Sequence, residues 1–377
     1  MRILVLALSL LFLAASSAFA DGSEPLTVKL VGQALVKKDL RSFAPAAVEQ
    51  AKEYLAADVV FTNLEVAVAP ADATVTLRSP AVTHVEPDVL DNLKEMGFNL
   101  LALSNNHALD LGIPGLLATM EEARKRGFGY AGTGRNADEA AAAGILETPK
   151  GRVALIGVAS GAVQLVPETW ATADRAGVNF LELRPDGSLN PEQHARIIAS
   201  VRAARRNSDL VIVYHHNHYW GEPRGSGLPP ARDRRIDRFV TPAWMEGLAR
   251  EVVDAGADIF VAHGNPALHG IEIYRGKAIL YGLGNYIFQA VSAIDRFGPL
   301  AYYGAVIECR FIEGRLTGIE VRPLVLSQDQ SVTEPRGTPY LAEGGDAEVA
   351  LLRIASDSRR YGTEIRIDGE RASVVLP

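Results

Sequence analysis

Short apolar runs alternate with longer amphipathic segments through most of the sequence, and this alternation constrains the fold more than any other feature. The apolar runs are rich in Val, Ile and Leu, and they lie at 28–31, 59–62, 100–103, 153–158, 210–214, 259–262 and 278–281. The segments with helical periodicity lie at 45–57, 87–96, 114–126, 191–206 and 242–255. Strands separated by helices are typical of crossover units with parallel strands. The sequence therefore predicts an α/β fold with a largely parallel core.

Proline and glycine mark the ends of the predicted helices. Each helix opens with a proline, which suits the first helical position because the N–H that it lacks has no partner there. Gly97, Gly127 and Gly256 follow three of the helices, where glycine commonly ends a helix. After the last predicted strand, 304–311 and 315–323 flank a turn sequence and predict a hairpin, which implies mixed pairing at one sheet edge.

Length and composition indicate a globular protein. The 377 residues are 48% hydrophobic, enough to bury one large core or two modest ones. We predict one main domain at 21–326 and a C-terminal extension at 327–377 that packs on it, with a helix at 346–358. The lone Cys309 permits no internal disulfide, and its apolar surroundings predict a core position.

The first residues of the chain predict export. Arg2 precedes an apolar run that ends in Ala18-Phe19-Ala20, the small-x-small pattern of a signal-peptide cleavage site. The run is shorter than the roughly 20 apolar residues that a bilayer span needs. We therefore expect residues 1–20 to be a cleaved signal peptide, with no retained transmembrane anchor and a periplasmic or extracellular mature protein.

The charge of the chain argues against nucleic acid as a partner. A formal net charge of -7 provides no basic field to gather phosphates. The arginine clusters at 202–206 and 232–238 are broken by acidic or apolar residues, which is typical of solvated surfaces.

Polar side chains follow five of the predicted strands at the point where each strand ends. Ligands of open α/β sheets bind beyond the carboxyl ends of strands, so these side chains predict one shared crevice. A single amide or imidazole in such a place is more often a turn former or helix cap, but five ends together favour a site. The donors suit a divalent metal or an oxyanion. They are Gln33, Asn63, Glu65, Asn105, Asn106, His107, His215, His216, Asn217, His218, His263 and Asn265.

Three stretches resemble the successive motifs of the poly-γ-glutamate capsule-synthesis (CapA-type) proteins. They are FTNLEVAVAP from Phe61, LSNNHALDLGIPGLLATMEEARKRGFGYAGTGRNADEA from Leu103, and GIEIYRGKAILYGLGNYIFQ from Gly270. The resemblance runs from about 28 to 326. It implies a metallophosphatase-like fold of the calcineurin type, which is an α/β/β/α sandwich of two mixed sheets flanked by helices.

The same resemblance implies a role for most of the strand-end residues. His107 would act as general acid/base, and Asp110 would orient it. A divalent metal, Mn, Fe or Zn, would be bound by Glu65, Asn106, His216, His218 and His263. The substrate would contact Asn63, Asn105, Asn265 and His269.

The sequence departs from the family pattern at two positions. Gln33 follows Gly32 where the family usually has aspartate, so a neutral side chain replaces an anionic ligand. Pro266 stands where a further histidine is common, and His269 is the nearby imidazole that remains. The loss of one carboxylate and one histidine predicts a one-metal site in place of a two-metal site, or no metal at all.

These observations leave three functions open. The first is an exported, hydrolase-like enzyme of envelope polymer synthesis or processing, which acts on a peptide, a γ-glutamyl polymer or a phosphoester. The second is a non-catalytic accessory of the polymer-synthesis machinery that binds an acidic polymer. The third is metal-independent proton transfer, such as epimerisation of a peptide. Nucleophile chemistry has little support, because the sequence has no G-x-S-x-G, C-x-x-C or Gly-rich phosphate motif.

Overall fold

The computed structural model describes residues 24–78, 84–161, 169–184, 186–220, 239–289, 297–328 and 336–377. The predicted signal peptide at 1–20 and the arginine cluster at 232–238 lie outside these residues. The helices are α1 (Pro45–Tyr54), α2 (Asp88–Glu95), α3 (Gly112–Lys125), α4 (Ala137–Ala141), α5 (Pro191–Asn207), α6 (Ala243–Asp254) and α7 (Gly344–Ser358).

Within the described residues, the first sheet has nine strands and mixed pairing. In spatial order these are β18 (Ile365–Asp368), β19 (Arg371–Val374), β16 (Arg315–Leu326), β15 (Tyr303–Ile312), β1 (Leu26–Val31), β3 (Val59–Asn63), β4 (Leu100–Ala102) and β5 (Gly129–Ala131), while β17 (Pro339–Leu341) also pairs with β16. The strands from β1 to β5 in this order are parallel, and β15 pairs with β1 and β16 antiparallel. The predicted hairpin is therefore present, and it introduces mixed pairing on one side of the sheet. It is not outermost, because β17 and β19 pair with β16.

The second sheet has six strands in the part of the chain that the structure describes. In spatial order these are β12 (Ile271–Tyr274), β13 (Lys277–Leu280), β11 (Ile259–His263), β10 (Leu210–His216), β8 (Gly151–Ala159) and β7 (Gly144–Thr148). The four central strands are parallel, and the two outer strands are antiparallel to their neighbours. Two short pairs complete the described strands: β2 (Gln33–Leu35) with β14 (Asn285–Phe288), and β6 (Thr133–Gly134) with β9 (Gly177–Val178).

Alternate side chains of each central strand enter different cores, because successive residues of a strand point to opposite faces. Leu30 and Phe61 of the first sheet and Ile212 of the second lie in one buried cluster between the sheets. Val31 packs in a second cluster with α1 and α2, and Val211 packs in a third with α5 and α6. The fold is an α/β/β/α sandwich of two mixed sheets flanked by helices, as predicted.

The helix ends follow the proline and glycine signals closely. Pro191 opens α5, and the side chain of Asn190 caps this helix by accepting hydrogen bonds from the amides of Glu192 and Gln193. Helix α3 is the exception, since it begins at Gly112, two residues before the predicted proline. After α2 the chain turns at Gly97, whose φ of 104° is readily adopted by glycine alone.

The C-terminal residues complete the first sheet and the core between the sheets. Leu351 and Ile354 of α7 are fully buried in that core, together with Cys309 of β15. The predicted core position of Cys309 is therefore confirmed. None of the helices in the described residues is long and apolar enough to cross a membrane.

Packing between the sheets predicts a large stability cost for Leu30→Ala. Leu30 has no exposed surface, so its truncation removes buried methyl groups and leaves a cavity that costs about 2–5 kcal/mol in the free energy of unfolding. Urea denaturation of the two proteins measures this loss. The matched control is Leu352→Ala on α7, whose side chain is 52% exposed. Equal effects of the two substitutions would contradict this description of the core.

Candidate active site between the two sheets

The carboxyl ends of strands from both sheets meet at one crevice. The first sheet contributes the segments that follow β1, β3 and β4, and the second contributes the ends of β10 and β11. His216 and His263 lie side by side at the ends of these two parallel strands. Gln33 joins the sheets, because its side-chain oxygen accepts a hydrogen bond from the amide of Gly264 at 3.1 Å. Gln33, which stands where the family usually has aspartate, thus makes a structural contact with Gly264.

Glu65, His216 and His218 form a cluster in which one ligand atom from each residue lies within 4.8 Å of the others. The Nε2 atom of His216 lies 3.0 Å from Nε2 of His218 and 2.8 Å from Oδ1 of Asn106. It also lies 3.9 Å from Oε1 of Glu65. Four of the five predicted ligands are therefore brought together at one point.

The chemistry of this cluster fits a divalent metal. The oxygens of Asn106 and of ionised Glu65 can only accept hydrogen bonds, and the two facing imidazole nitrogens can share one proton at most. Oε2 of Glu65 is buried and has no hydrogen-bond partner among the described residues. A cation would satisfy these converging lone pairs, and a mixed set of nitrogen and oxygen donors suits Mn, Fe or Zn.

Burial keeps the groups of the cluster close to neutrality. It raises the pKa of the Glu65 carboxyl to about 7, although the positive charge of His107 acts in the opposite direction. It lowers the pKa of His216 well below its ordinary value, and the neighbouring imidazoles of His218 and His263 lower it further. A neutral imidazole is the form that binds a metal, so burial favours binding.

His107 and Asp110 form a hydrogen-bonded pair beside the cluster. The Nδ1 atom of His107 lies 2.7 Å from Oδ2 of Asp110, which is the predicted contact. Burial lowers the pKa of His107, but the hydrogen bond that its ring donates to Asp110 and the charge of Glu65 outweigh burial, so the pKa lies above its ordinary value. The side chain of His107 is 32% exposed. Because Asp110 holds Nδ1, Nε2 is the nitrogen that remains for proton exchange.

The amide of Asn105 fixes the loop that carries His107. Its Nδ2 donates to the carbonyl of Leu64 at 2.7 Å and to Oδ1 of Asn63 at 3.0 Å. Its Oδ1 accepts from the backbone amide of His107 at 2.9 Å. Asn63 and Asn105 are both buried, and their hydrogen bond ties the segment after β4 to the end of β3. Their contacts with the substrate stay a prediction.

The remaining predicted residues lie around the second sheet. His263 is fully buried and packs against the ring of Tyr214 at 5.4 Å, outside the cluster of Glu65, His216 and His218. Burial lowers its pKa to about 3. His269 stacks on Trp220, with ring centroids 4.3 Å apart. Its Nε2 lies 3.3 Å from the amide nitrogen of Asn265. The ligand role of His263 and the substrate contacts of Asn265 and His269 stay predictions.

Two residues of the site were missed in the sequence. The hydroxyl of Tyr214 lies 2.9 Å from Nδ1 of His216 and thereby directs Nε2 of that ring towards the cluster. The two-residue period of a strand could have found it, since Tyr214 and His216 share one face. Arg78 donates from Nη1 to the carbonyl of Asn106 at 2.8 Å, and no motif marks this contact because 28 positions separate the two residues.

Comparison with known proteins identifies relatives over most of the chain. Residues 27–290 match the family described as "Bacterial capsule synthesis protein PGA_cap". The chain is 27% identical to "Uncharacterized protein y4sH" of Sinorhizobium fredii (strain NBRC 101917 / NGR234), over 91% of each protein. It is 29% identical to a "Probable polyglutamine synthesis accessory protein" of Mycobacterium tuberculosis, over 86% of this chain and 79% of that one. It is also 29% identical to "PGA biosynthesis protein CapA" of Bacillus subtilis (strain 168), over 56% of this chain and 48% of that protein.

The hydrogen bonds of Asn105 predict that Asn105→Ala destabilises the protein. The change leaves the carbonyl of Leu64 and the amide of His107 without their partner, at a cost of about 1–3 kcal/mol in the free energy of unfolding. Urea denaturation measures the cost. Asn207→Ala, at the exposed end of α5, is the matched control and is expected to stay within about 0.5 kcal/mol of wild type. A buried Asn105 that could be removed without cost would disprove its structural task.

Proposed function

The chain belongs to the bacterial capsule synthesis protein PGA_cap family, and from this premise we propose that it takes part in the synthesis or processing of a γ-glutamyl envelope polymer. The relatives named for PGA biosynthesis and for polyglutamine synthesis support this polymer. The apolar segment with its Ala18-Phe19-Ala20 cleavage pattern supports export of the protein to the periplasm or the exterior, which suits a role at an envelope polymer.

We propose further that the crevice hydrolyses a γ-glutamyl amide bond. One observation carries this proposal: the pair of His107 and Asp110 lies beside the converging donors of Glu65, Asn106 and His216. A group that transfers protons next to a set of metal ligands is the arrangement that metal-assisted hydrolysis requires.

In the proposed reaction, the metal ligands and His107 have separate roles. A divalent metal held by Glu65, Asn106, His216 and His218 would supply Lewis-acid polarisation of the scissile carbonyl. Asp110 accepts the hydrogen bond from Nδ1 of His107 and stabilises the protonated ring. Nε2 of His107 gives its proton to the leaving nitrogen as the C–N bond breaks. The attacking water forms the new C–O bond, and the proton that it loses restores the histidine.

The cluster predicts that the mature protein, purified without chelator, contains a divalent metal. Glu65→Gln and His218→Gln each remove a ligand and are expected to weaken metal binding by about tenfold or more. Elemental analysis and calorimetric titration with Mn²⁺ or Zn²⁺ measure this effect. His194→Gln is the matched control, since His194 pairs with Glu251 on the helical face of the second sheet. Equal affinity in all four proteins would refute the metal site.

The pair of His107 and Asp110 predicts that His107→Gln abolishes most of the hydrolysis. Loss of the proton donor is expected to lower kcat by about 100- to 10,000-fold on a γ-linked glutamate peptide. The metal content is expected to stay at the wild-type level, because His107 is not a member of the cluster. Peptide turnover is measured by chromatography of the products, with His194→Gln as the control. Full activity of His107→Gln would remove His107 from the mechanism.

A second function is favoured by the contact of Gln33. The side chain of Gln33 bonds Gly264 and offers no carboxylate, so the site has fewer anionic ligands than the family pattern. This is consistent with a crevice that binds an acidic polymer without cleaving it. Metal-loaded protein that binds a γ-linked glutamate oligomer but cleaves neither it nor a phosphoester would favour this accessory function. Deuterium at the α-carbon of recovered peptide would instead indicate epimerisation.

A further inference from the structure

Arg78 is held against the loop that carries His107. The backbone amide of Arg78 donates to the carbonyl of Asp110 at 2.9 Å, and that of Thr76 donates to the carbonyl of Leu111 at 3.2 Å. The two segments are close enough that a Cβ atom on Gly112 would approach Thr76 to 3.1 Å. These two backbone hydrogen bonds hold the backbone of Arg78 beside the site.

The guanidinium of Arg78 is only partly used by the protein. Nη1 donates to the carbonyl of Asn106 at 2.8 Å and lies 3.5 Å from Oδ1 of Asp110. That oxygen makes no hydrogen bond among the described residues. Arg78 and Asp110 therefore form a long ion pair and not the bidentate contact that arginine can make with a carboxylate. Nε and Nη2 make no hydrogen bond within the described part of the chain, and the side chain is 31% exposed. The planar fork is therefore available to a ligand.

We propose that Arg78 binds the α-carboxylate of the residue that leaves when the γ-glutamyl bond is cleaved. This assignment rests on the proposed function and names the part of the substrate that the site recognises. In a γ-linked chain, every glutamate keeps a free α-carboxylate, and this group and the leaving nitrogen are attached to the same carbon. Arg78 contacts Asn106 and Asp110, the residue before His107 and the residue that holds its ring. One leaving residue can thus place its α-carboxylate at Arg78 and its nitrogen at His107.

The charges of the site give a reason for this contact. Glu65 and Asp110 place two carboxyl groups at a crevice that we propose receives a polyanion. A cation on the leaving-group side offsets their repulsion of the substrate. Arginine is suited to this task, because its fork matches the two oxygens of a carboxylate. A leaving group without the carboxylate would lack this contact.

Equilibrium binding tests the assignment without requiring turnover. A γ-linked glutamate oligomer is titrated into the metal-loaded, mature full-length protein by calorimetry. Arg78→Gln is expected to weaken binding by about 10- to 100-fold, which is the usual effect of losing a hydrogen-bonded charge. Arg78→Lys, which keeps the positive charge but not the planar guanidinium, is expected to lose less affinity for the oligomer. Arg366→Gln on β18, a matched change at a side chain that is 67% exposed, is expected to have no effect.

A second oligomer, whose α-carboxylates are converted to amides, distinguishes recognition of the carboxylate by Arg78 from a role of Arg78 in supporting the fold. Wild type is expected to bind it weakly, and Arg78→Gln is expected to bind it no worse. Equal wild-type affinity for the acid and amide oligomers would overturn the proposal, as would tight binding of the acid oligomer by Arg78→Gln.

Turnover provides a separate readout of the same contact. For hydrolysis of γ-glutamyl-alanine and γ-glutamyl-ethylamide, which differ only in the leaving-group carboxylate, Arg78→Gln is expected to bring the ratio of the kcat/KM values close to one. A residue that only positions His107 would lower both values and preserve the ratio, which would contradict the proposal. If wild type cleaves neither compound, the proposed hydrolysis is wrong, and the binding result still decides the role of Arg78.

Discussion

The contact between His216 and Asn106 is the interaction on which the candidate site depends. His216 ends β10 of the second sheet, and Asn106 lies in the loop after β4 of the first. Their side chains meet at 2.8 Å only because the two sheets pack face to face. That packing comes from side chains such as Leu30, Phe61 and Ile212, which have no exposed surface. Apolar burial thus sets the distance between polar groups that are 110 positions apart in the chain.

Burial also sets the chemical state of these groups. A carboxyl or imidazole removed from water favours its neutral form unless a partner of opposite charge is near. The raised pKa of Glu65 and the lowered pKa values of His216 and His263 follow from this effect. His107 differs because Asp110 and Glu65 both favour its protonated form. One crevice therefore combines buried groups that favour their neutral forms with a group that holds a proton.

The periodic features of the sequence predicted most of the architecture. The predicted strands and helices differ from the observed ones by a few residues at their ends, because apolar periodicity and the proline and glycine signals are local properties of the sequence. The pairing of β16 with β19 could not be predicted, since it joins residues that are far apart in sequence. The hydrogen bond of Asn105 to Leu64 could not be predicted for the same reason, because 41 positions separate the two residues.

By itself, the sequence determined the α/β elements, the strand ends that carry polar residues and the family to which the chain belongs. These properties follow from short-range patterns and from motifs that can be read as letters. Only the tertiary structure decided which polar residues converge, that His263 lies outside the cluster, and that Gln33 bonds Gly264. It also brought Arg78 to the His107 loop. Such contacts depend on how two sheets pack and on where loops return, and the packing of the whole chain fixes both.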